Sequence, residues 1–168
     1  MASVVSPACF EEWGKFIHAS EDGTLVTCSS TAGLEKYDEN RALAAALPLA
    51  ADATVGMHVA DLGTGWFWAS FFTAPPGGDT HAGSPGVYSV DSDAGSCYGD
   101  GAWSKNPLPP LRAGDRAAWR LLRNAGRIEV SVTGGPFIVV FDGITAAVVS
   151  FGVYLIGDGV SIRLVSVD

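Results

Sequence analysis

From residue 127 onwards, short apolar segments alternate with glycine-containing turns, and this pattern constrains the fold more than any other feature of the sequence. Residues 127–132 (RIEVSV) alternate polar and apolar side chains, as a half-buried strand does. Residues 137–141, 147–155 and 160–165 are apolar, rich in β-branched side chains and separated by Gly or Asp-Gly. Short strands at this spacing predict an antiparallel β-sandwich.

Composition agrees with one β-rich domain. The 168 residues are enough to bury a core, and Cys9, Cys28 and Cys97 do not have the spacing of a disulfide framework or a zinc site. Twenty-one Gly and nine Pro argue against a helical bundle, and a hydrophobic content of 48% excludes a disordered chain. The net charge of −8 argues against a nucleic-acid partner.

Targeting and membrane signals are absent from the sequence. The N-terminal residues lack the basic and apolar regions of a signal peptide. The apolar stretches at 42–53 and 146–157 are shorter than the roughly 20 residues that cross a bilayer, and we interpret both as core. We therefore expect an intracellular, soluble protein in the cytoplasm, without a membrane partner.

The middle of the chain predicts two hairpins and a long loop. Residues 54–60 and 65–73 flank the turn 61–64 and are expected to pair, with apolar side chains on both faces of the second segment. Residues 86–90 and 96–98 predict a second hairpin. Between the hairpins, residues 74–86 hold three Pro and four Gly, and loops of this length are usually functional or disordered.

Two segments allow more than one secondary structure. Residues 38–46 suit a short helix or a strand, because a possible Asp38 cap is followed closely by Pro48. Residues 116–125 lie in a basic segment, 112–127, whose arginines recur at helical spacing. Local spacing alone leaves a helix and a strand equally possible there.

A search for chemical motifs predicts no catalytic, cofactor or metal site. Nucleotide-binding loops and a serine nucleophile elbow are missing, and His81 in the long loop has no second histidine at ligand spacing. Residues 91–95 (DSDAG) resemble the start of a calcium loop, but Ser96 and Ala102 stand where Gly and Glu are required. A hairpin turn is the better interpretation.

The succession of segments over residues 17–165 resembles a SPRY domain, a concanavalin-like β-sandwich of intracellular adaptors. SEDGTLV (20–26) is similar to an early strand of the family, and GVYSVDSDAGSCYGDG (86–101) to one of its hairpins. The strongest match is LRAGDRAAWRLLRNAGRIEVSVTGG (111–135) with the apolar segments that follow it. The resemblance makes residues 115–122 a strand, because tertiary context outweighs helical spacing.

This resemblance implies an all-β fold: an antiparallel two-sheet β-sandwich of the SPRY and concanavalin-like jelly-roll type. Residues 1–16 are then an N-terminal lead-in and residues 17–168 the sandwich domain. It also implies a non-enzymatic interaction module that binds a peptide or protein surface through loops at one end of the sandwich. Rigid loops lose little entropy on binding, which suits this role.

By order along the chain, the family's binding loops correspond to residues 40–43, 80–84 and 154–158. Arg41 is expected to hydrogen-bond a partner carboxylate or carbonyl, and residues 154–156 to form an apolar wall. The structural alternative is that Leu155 completes a core strand and that Arg41 is simply solvated. The predicted partner-binding residues are Arg41, Leu43, His81, Tyr154, Leu155, Ile156 and Asp158.

Three alternatives remain at this point. A lectin-like sandwich would stack sugars on Trp103 or Tyr98, with Asp91 or Asp100 as hydrogen-bond acceptors. A structural protein would assemble through the apolar hairpin 54–73. The basic segment 112–127 is the next candidate for a binding face.

Overall fold

The chain forms two stacked β-sheets in the computed structural model, which describes residues 3–4, 9–30, 34–46, 52–93 and 95–167. Strands are numbered in chain order. The described strands of the first sheet are β1 (Ser3–Val4), β3 (Ile17–Ala19), β4 (Leu25–Cys28), β6 (Ala53–Asp61), β11 (Arg116–Leu122), β12 (Arg127–Val132), β13 (Ile138–Phe141) and β15 (Ser161–Val165). Those of the second sheet are β2 (Phe10–Trp13), β5 (Arg41–Ala46), β7 (Trp66–Phe72), β8 (Val87–Asp91), β9 (Ser96–Gly99), β10 (Ala102–Lys105) and β14 (Ser150–Ile156).

The strand order confirms the antiparallel two-sheet sandwich. The first sheet runs β13-β12-β11-β6-β15-β4-β3, with β1 parallel to the start of β6. The second sheet runs β10-β9-β8-β7-β14-β5-β2. Among the described residues, helical structure is limited to the 3₁₀ turn Leu34–Lys36, and no helix there is long and apolar enough to cross a membrane.

Aromatic side chains fill the space between the sheets. Trp119 of β11 is fully buried, and its ring lies 6.4 Å from that of Phe71 and 6.5 Å from that of Phe151. Phe71 and Phe151 meet edge to face at 5.1 Å, a favoured arrangement of aromatic pairs. These contacts join strand β11 of the first sheet to strands β7 and β14 of the second.

Residues 116–122 form strand β11 and not a helix, as the family resemblance implies. Ala117, Trp119 and Leu121 alternate into the core, and the residues between them face outwards. The outward Arg120 forms a salt bridge with Glu129, its cross-strand partner on β12. Burial of every second residue therefore outweighs the helical spacing of the arginines.

The predicted pairing of residues 54–60 with 65–73 is wrong. These segments are β6 and β7, which lie in opposite sheets: β6 pairs with β11 and β15, and β7 pairs with β8 and β14. The intervening turn crosses from one sheet to the other. By contrast, the predicted hairpin of residues 86–90 and 96–98 is confirmed as β8 and β9.

The sandwich begins earlier in the chain than residue 17. Strand β2, within the segment 1–16 that was expected to be a lead-in, forms the edge of the second sheet by pairing with β5. Phe10 is only 2% exposed and belongs to the core between the sheets. Its burial explains why strand β2 is part of the folded unit.

The crossing between β6 and β7 offers a test of the topology. A Cβ atom on Gly65 would overlap the Ile156 carbonyl oxygen, whereas one on Gly78 would meet nothing within 4 Å. We expect Gly65→Ala to lower the free energy of unfolding by about 1–3 kcal/mol, as overpacking does, and Gly78→Ala to leave it nearly unchanged. Urea unfolding followed by tryptophan fluorescence measures both, and equal midpoints for the two variants would contradict this packing.

Candidate binding site on the outer face of the second sheet

The outer face of the second sheet carries an apolar cluster of its own, separate from the core between the sheets. On β7, Trp66, Trp68 and Phe72 point outwards, because alternate residues of a strand face opposite sides. The loop 73–86 lies over this face and contributes Ala82. We call this set the outer cluster. Its members are Leu43, Trp68, Phe72, Ala82, Val87, Tyr154 and Ile156, with Tyr37, Trp66 and Tyr98 packed at its border.

Tyr154 fastens the loop to the sheet. Its side chain is fully buried, and its hydroxyl donates a hydrogen bond of 3.0 Å to the Thr80 carbonyl. Its ring meets those of Tyr37 and Phe72 edge to face, at 5.8 and 6.2 Å. Burial raises the pKa of Tyr154 well above its ordinary value, so the hydroxyl remains a donor at neutral pH.

Arg41 is a second fastening point of the loop. The residue is 5% exposed, and its Nη1 donates to the Pro76 and Gly77 carbonyls, both at 3.3 Å. Its Nη2 lies 3.0 Å from carboxylate oxygens of Glu12 and Asp38. The guanidinium therefore joins the loop, strand β2 and the segment before β5, and its hydrogen-bonding groups are engaged within the protein.

A pocket of about 260 Å³ remains where the loop meets the sheet. Its described lining is Tyr37, Trp68, His81, Ala82, Gly83 and Tyr98. The His81 ring stacks on Tyr37 at 5.1 Å, and its Nδ1 accepts the Gly83 N–H at 3.1 Å. The Trp68 ring lies 5.7 Å from that of Tyr98. Since the rings at the rim are only half-buried, the pocket is open to solvent.

Two polar groups on this face lack a strong partner. Trp68 is 6% exposed, and its buried indole N–H has no hydrogen-bond acceptor among the described residues. Asp91 lies directly opposite Trp68 in the register of β7 and β8, so both side chains are on the outer face. Desolvation raises the pKa of Asp91, and within the described chain its carboxylate accepts the Asp93 N–H but forms no ion pair.

Most of the residues predicted to bind a partner meet at the outer cluster. Leu43, Tyr154 and Ile156 belong to it, His81 stacks on Tyr37 at its border, and Arg41 bonds the loop that covers it. Three separate stretches of the chain supply these residues. Only His81 among them lines the pocket; the other four are buried beneath the loop or at its edge.

Leu155 and Asp158 lie elsewhere. Leu155 is fully buried between the sheets, because it alternates with Tyr154 and Ile156 along β14. Residues 154–156 therefore do not form one apolar wall, and the alternative that Leu155 completes a core strand is confirmed. Asp158 is exposed in the turn after β14, where its carbonyl accepts the Thr64 N–H at 3.1 Å.

Tyr37 and Trp68 of the pocket were not among the expected binding residues, whereas Ala82 and Gly83 lie within the predicted binding loop 80–84. The two apolar faces of residues 66–72 were a signal for Trp68, since they require something to cover the outer face. Tyr37 had no such signal, because it follows a 3₁₀ turn in a segment without periodicity. Its position depends on stacking against His81, which is distant in sequence.

The basic segment 112–127 is largely engaged within the protein. Arg120 pairs with Glu129 and lies over the Phe137 ring at 3.7 Å, and Arg127 pairs with Asp142 at 3.0 Å. Arg123 donates to the Val148 carbonyl at 3.0 Å. Of these contacts, the Arg120–Glu129 pair joins neighbouring strands β11 and β12, and those of Arg123 and Arg127 reach residues outside the strands.

Solved structures share this architecture. The SPRY domain of human HERC1 superposes with a TM-score of 0.71 at 13% identity, covering 90% of this chain and 93% of that one. The PSpry domain of TRIM65 gives 0.69 at 12% identity, covering 94% and 89%. The Neuralized NHR1 domain of Drosophila melanogaster gives 0.64 at 13% identity, covering 92% and 94%. No protein-family model and no curated protein sequence matches the chain.

The protein is therefore a two-sheet β-sandwich, and its fold is that of a SPRY domain. This confirms the fold implied by the sequence resemblance. At such low identity the comparisons establish the fold alone.

The anchoring role of Arg41 can be tested by stability. Arg41→Met removes hydrogen bonds to two loop carbonyls and two carboxylates, and we expect a loss of about 1–3 kcal/mol in the free energy of unfolding. Lys36→Met is the matched control, because it removes only the exposed pair with Glu39, which is worth at most about 1 kcal/mol. Hydrogen exchange of residues 73–86 should accelerate in the Arg41 variant alone. Unchanged exchange and stability in that variant would contradict the anchoring role.

Proposed function

We propose that this protein is a non-enzymatic interaction module that binds a peptide or protein segment through the pocket of Tyr37, Trp68, His81 and Tyr98. The observation that carries the proposal is a preformed aromatic pocket on a sheet face, bordered by a loop that the protein's own contacts hold in place. Aromatic residues in such pockets are typical of binding hot spots.

The fixed loop favours binding energetically. Ordering a flexible loop costs free energy at the moment of association, whereas Arg41 and Tyr154 already hold residues 76–80 against the sheet. In this proposal Arg41, Leu43, Tyr154 and Ile156 position the site, and His81 contacts the partner directly. Asp158 would contact only a partner that extends beyond the pocket. The SPRY-domain fold of the compared structures supports a protein partner, which we expect to be intracellular.

A carbohydrate ligand is the second candidate, and the exposure of Trp103 favours it. Trp103 is 62% exposed and is the cross-strand partner of Tyr98, so an exposed aromatic side chain stands on the edge strand β10 on the same sheet face as the pocket. Asp100, however, is already engaged in accepting the Gly86 N–H at 2.7 Å. Self-assembly through a hairpin of residues 54–73 is not supported, because β6 and β7 do not pair and no such hairpin forms.

A methyl group in the pocket tests the proposed function. A Cβ on Gly83 would lie 3.5 Å from the rings of His81 and Tyr98, in ordinary contact and without a strained φ. Gly83→Ala should therefore fold normally and narrow the pocket. Gly78→Ala, in the same loop but in open space, is the matched control. Peptides selected from a random displayed library against the wild-type protein should bind Gly83→Ala about 5-fold or more weakly, which corresponds to about 1 kcal/mol at a hot spot, and Gly78→Ala equally well.

Three results would contradict the proposal. Selected peptides that bind both variants with wild-type affinity would place the binding surface elsewhere. A glycan array that gives saturable binding, lost in Trp103→Ala, while no peptide binds, would favour the carbohydrate candidate. Turnover of hydrolase substrates that a single Ser, His or Asp substitution abolishes would make the protein an enzyme.

A further inference from the structure

The chemistry of the pocket indicates what kind of side chain it accepts. Tyr37, Trp68 and Tyr98 present aromatic rings, with His81 stacked on Tyr37. The face of an aromatic ring is electron-rich and attracts cations, and several rings around one space are a recurrent means of binding ammonium groups. The volume of about 260 Å³ lies below the roughly 300–1,000 Å³ of small-molecule sites, so it suits a single side chain.

A carboxylate without an ion pair in the described chain, that of Asp91, lies on the same sheet face as these rings, on the strand next to Trp68 and outside the pocket lining. Asp91 is half-buried next to Trp68, and a partly desolvated carboxylate gains most from a cation that arrives without much water. No cation of the described chain forms an ion pair with it. Lys36 pairs with Glu39, Arg41 pairs with Glu12 and Asp38, and Lys105 lies two strands away without an ion pair to Asp91 in the described chain.

Trp68 adds a hydrogen-bond donor to the same wall. Its indole N–H is buried and without an acceptor among the described residues, which is costly in a folded protein. The indole ring itself lines the pocket, so its N–H resonance reports on what enters there. The net charge of −8 further favours the approach of a basic segment.

We propose that the pocket binds the cationic side chain of a lysine, a methylated lysine or an arginine in the partner, with the aromatic rings and Asp91 as its recognition elements. This inference rests on the proposed function and specifies its ligand. The methylene stem of the side chain packs against Ala82 and the ring faces, and Asp91, on the strand next to Trp68, attracts the charged end.

Matched small probes test whether the pocket requires a positive charge on its ligand. Acetyl-trimethyllysine amide, acetyl-arginine amide and acetyl-lysine amide are titrated into the ¹⁵N-labelled protein, with the uncharged tert-butyl analogue of trimethyllysine as the isosteric control. The readout is the Trp68 indole N–H resonance, identified by its loss in Trp68→Phe. We expect at least one cationic probe to shift this resonance and to bind about 5-fold or more tightly than the neutral analogue, and the comparison among the three identifies the preferred cation.

The outcomes separate this inference from the proposed function. A neutral analogue that binds as tightly as every cation would overturn the inference, while peptide binding sensitive to Gly83→Ala would still support the proposed function. No shift with any probe, together with selected peptides that contain no Lys or Arg, would also overturn it. Loss of peptide binding in both Gly83→Ala and Gly78→Ala would count against the proposed function itself.

Two pairs of variants assign the roles of the residues. Asp91→Asn and Asp93→Asn change the net charge equally, but only the first removes the carboxylate beside Trp68; we expect it to weaken the cationic probe about 3-fold or more and Asp93→Asn to have little effect. Tyr37→Leu should weaken the probe, whereas Tyr37→Phe, which keeps the ring, should not. Equal effects within either pair would overturn the role assigned to that residue.

Discussion

The apolar character of both faces of strands β7 and β14 is the constraint on which the rest of the structure depends. Their inner residues, such as Phe71 and Phe151, pack against Trp119 of the first sheet and hold the sandwich together. Their outer residues, such as Trp68 and Tyr154, would expose a large apolar surface to water if they were left open. The chain must therefore provide a cover, and loop 73–86 with the segment around Tyr37 is that cover.

A covering loop is stable only if its backbone groups find partners, and this requirement explains the buried Arg41. Residues 75–86 contain proline and glycine and form little regular structure, so their carbonyl groups need donors from elsewhere. The guanidinium satisfies Pro76 and Gly77, and the Tyr154 hydroxyl satisfies Thr80. The charge of Arg41 is balanced by Glu12 and Asp38, whose side chains are exposed enough to remain hydrated. Arg41 thus stabilises the outer cluster by holding loop 73–86 over it.

The sequence allowed the fold to be predicted further than the site. The alternation in residues 127–132 and the two-faced segment 66–72 are local properties, and both strands formed as expected. Residues 116–122 required the family resemblance, since their arginines recur at helical spacing while the inward positions are revealed only by burial. The turn 61–64 shows the limit of local signals: a glycine-containing turn predicts a reversal of the chain, but not whether the next strand stays in the same sheet. Arg41 was expected to bind a partner, but in the structure its guanidinium holds the loop; local signals could not reveal this because its acceptors lie 35 and 36 residues away.

The cover formed by loop 73–86 and the segment around Tyr37 does not close the outer face completely. Bulky side chains close the outer cluster over Phe72 and Tyr154, but Ala82 and Gly83 are too small to fill the space between Tyr37 and Tyr98. Gly83 has no positive φ and would accommodate a methyl group at 3.5 Å from both neighbouring rings, so backbone geometry does not require a glycine there. A fold selected for stability alone would gain from filling this space. In the described part of the chain this space lies beside the Trp68 indole N–H, which has no acceptor, and one strand from Asp91, whose carboxylate accepts the Asp93 N–H but forms no ion pair. The free protein therefore bears the cost of both the open space and the buried donor.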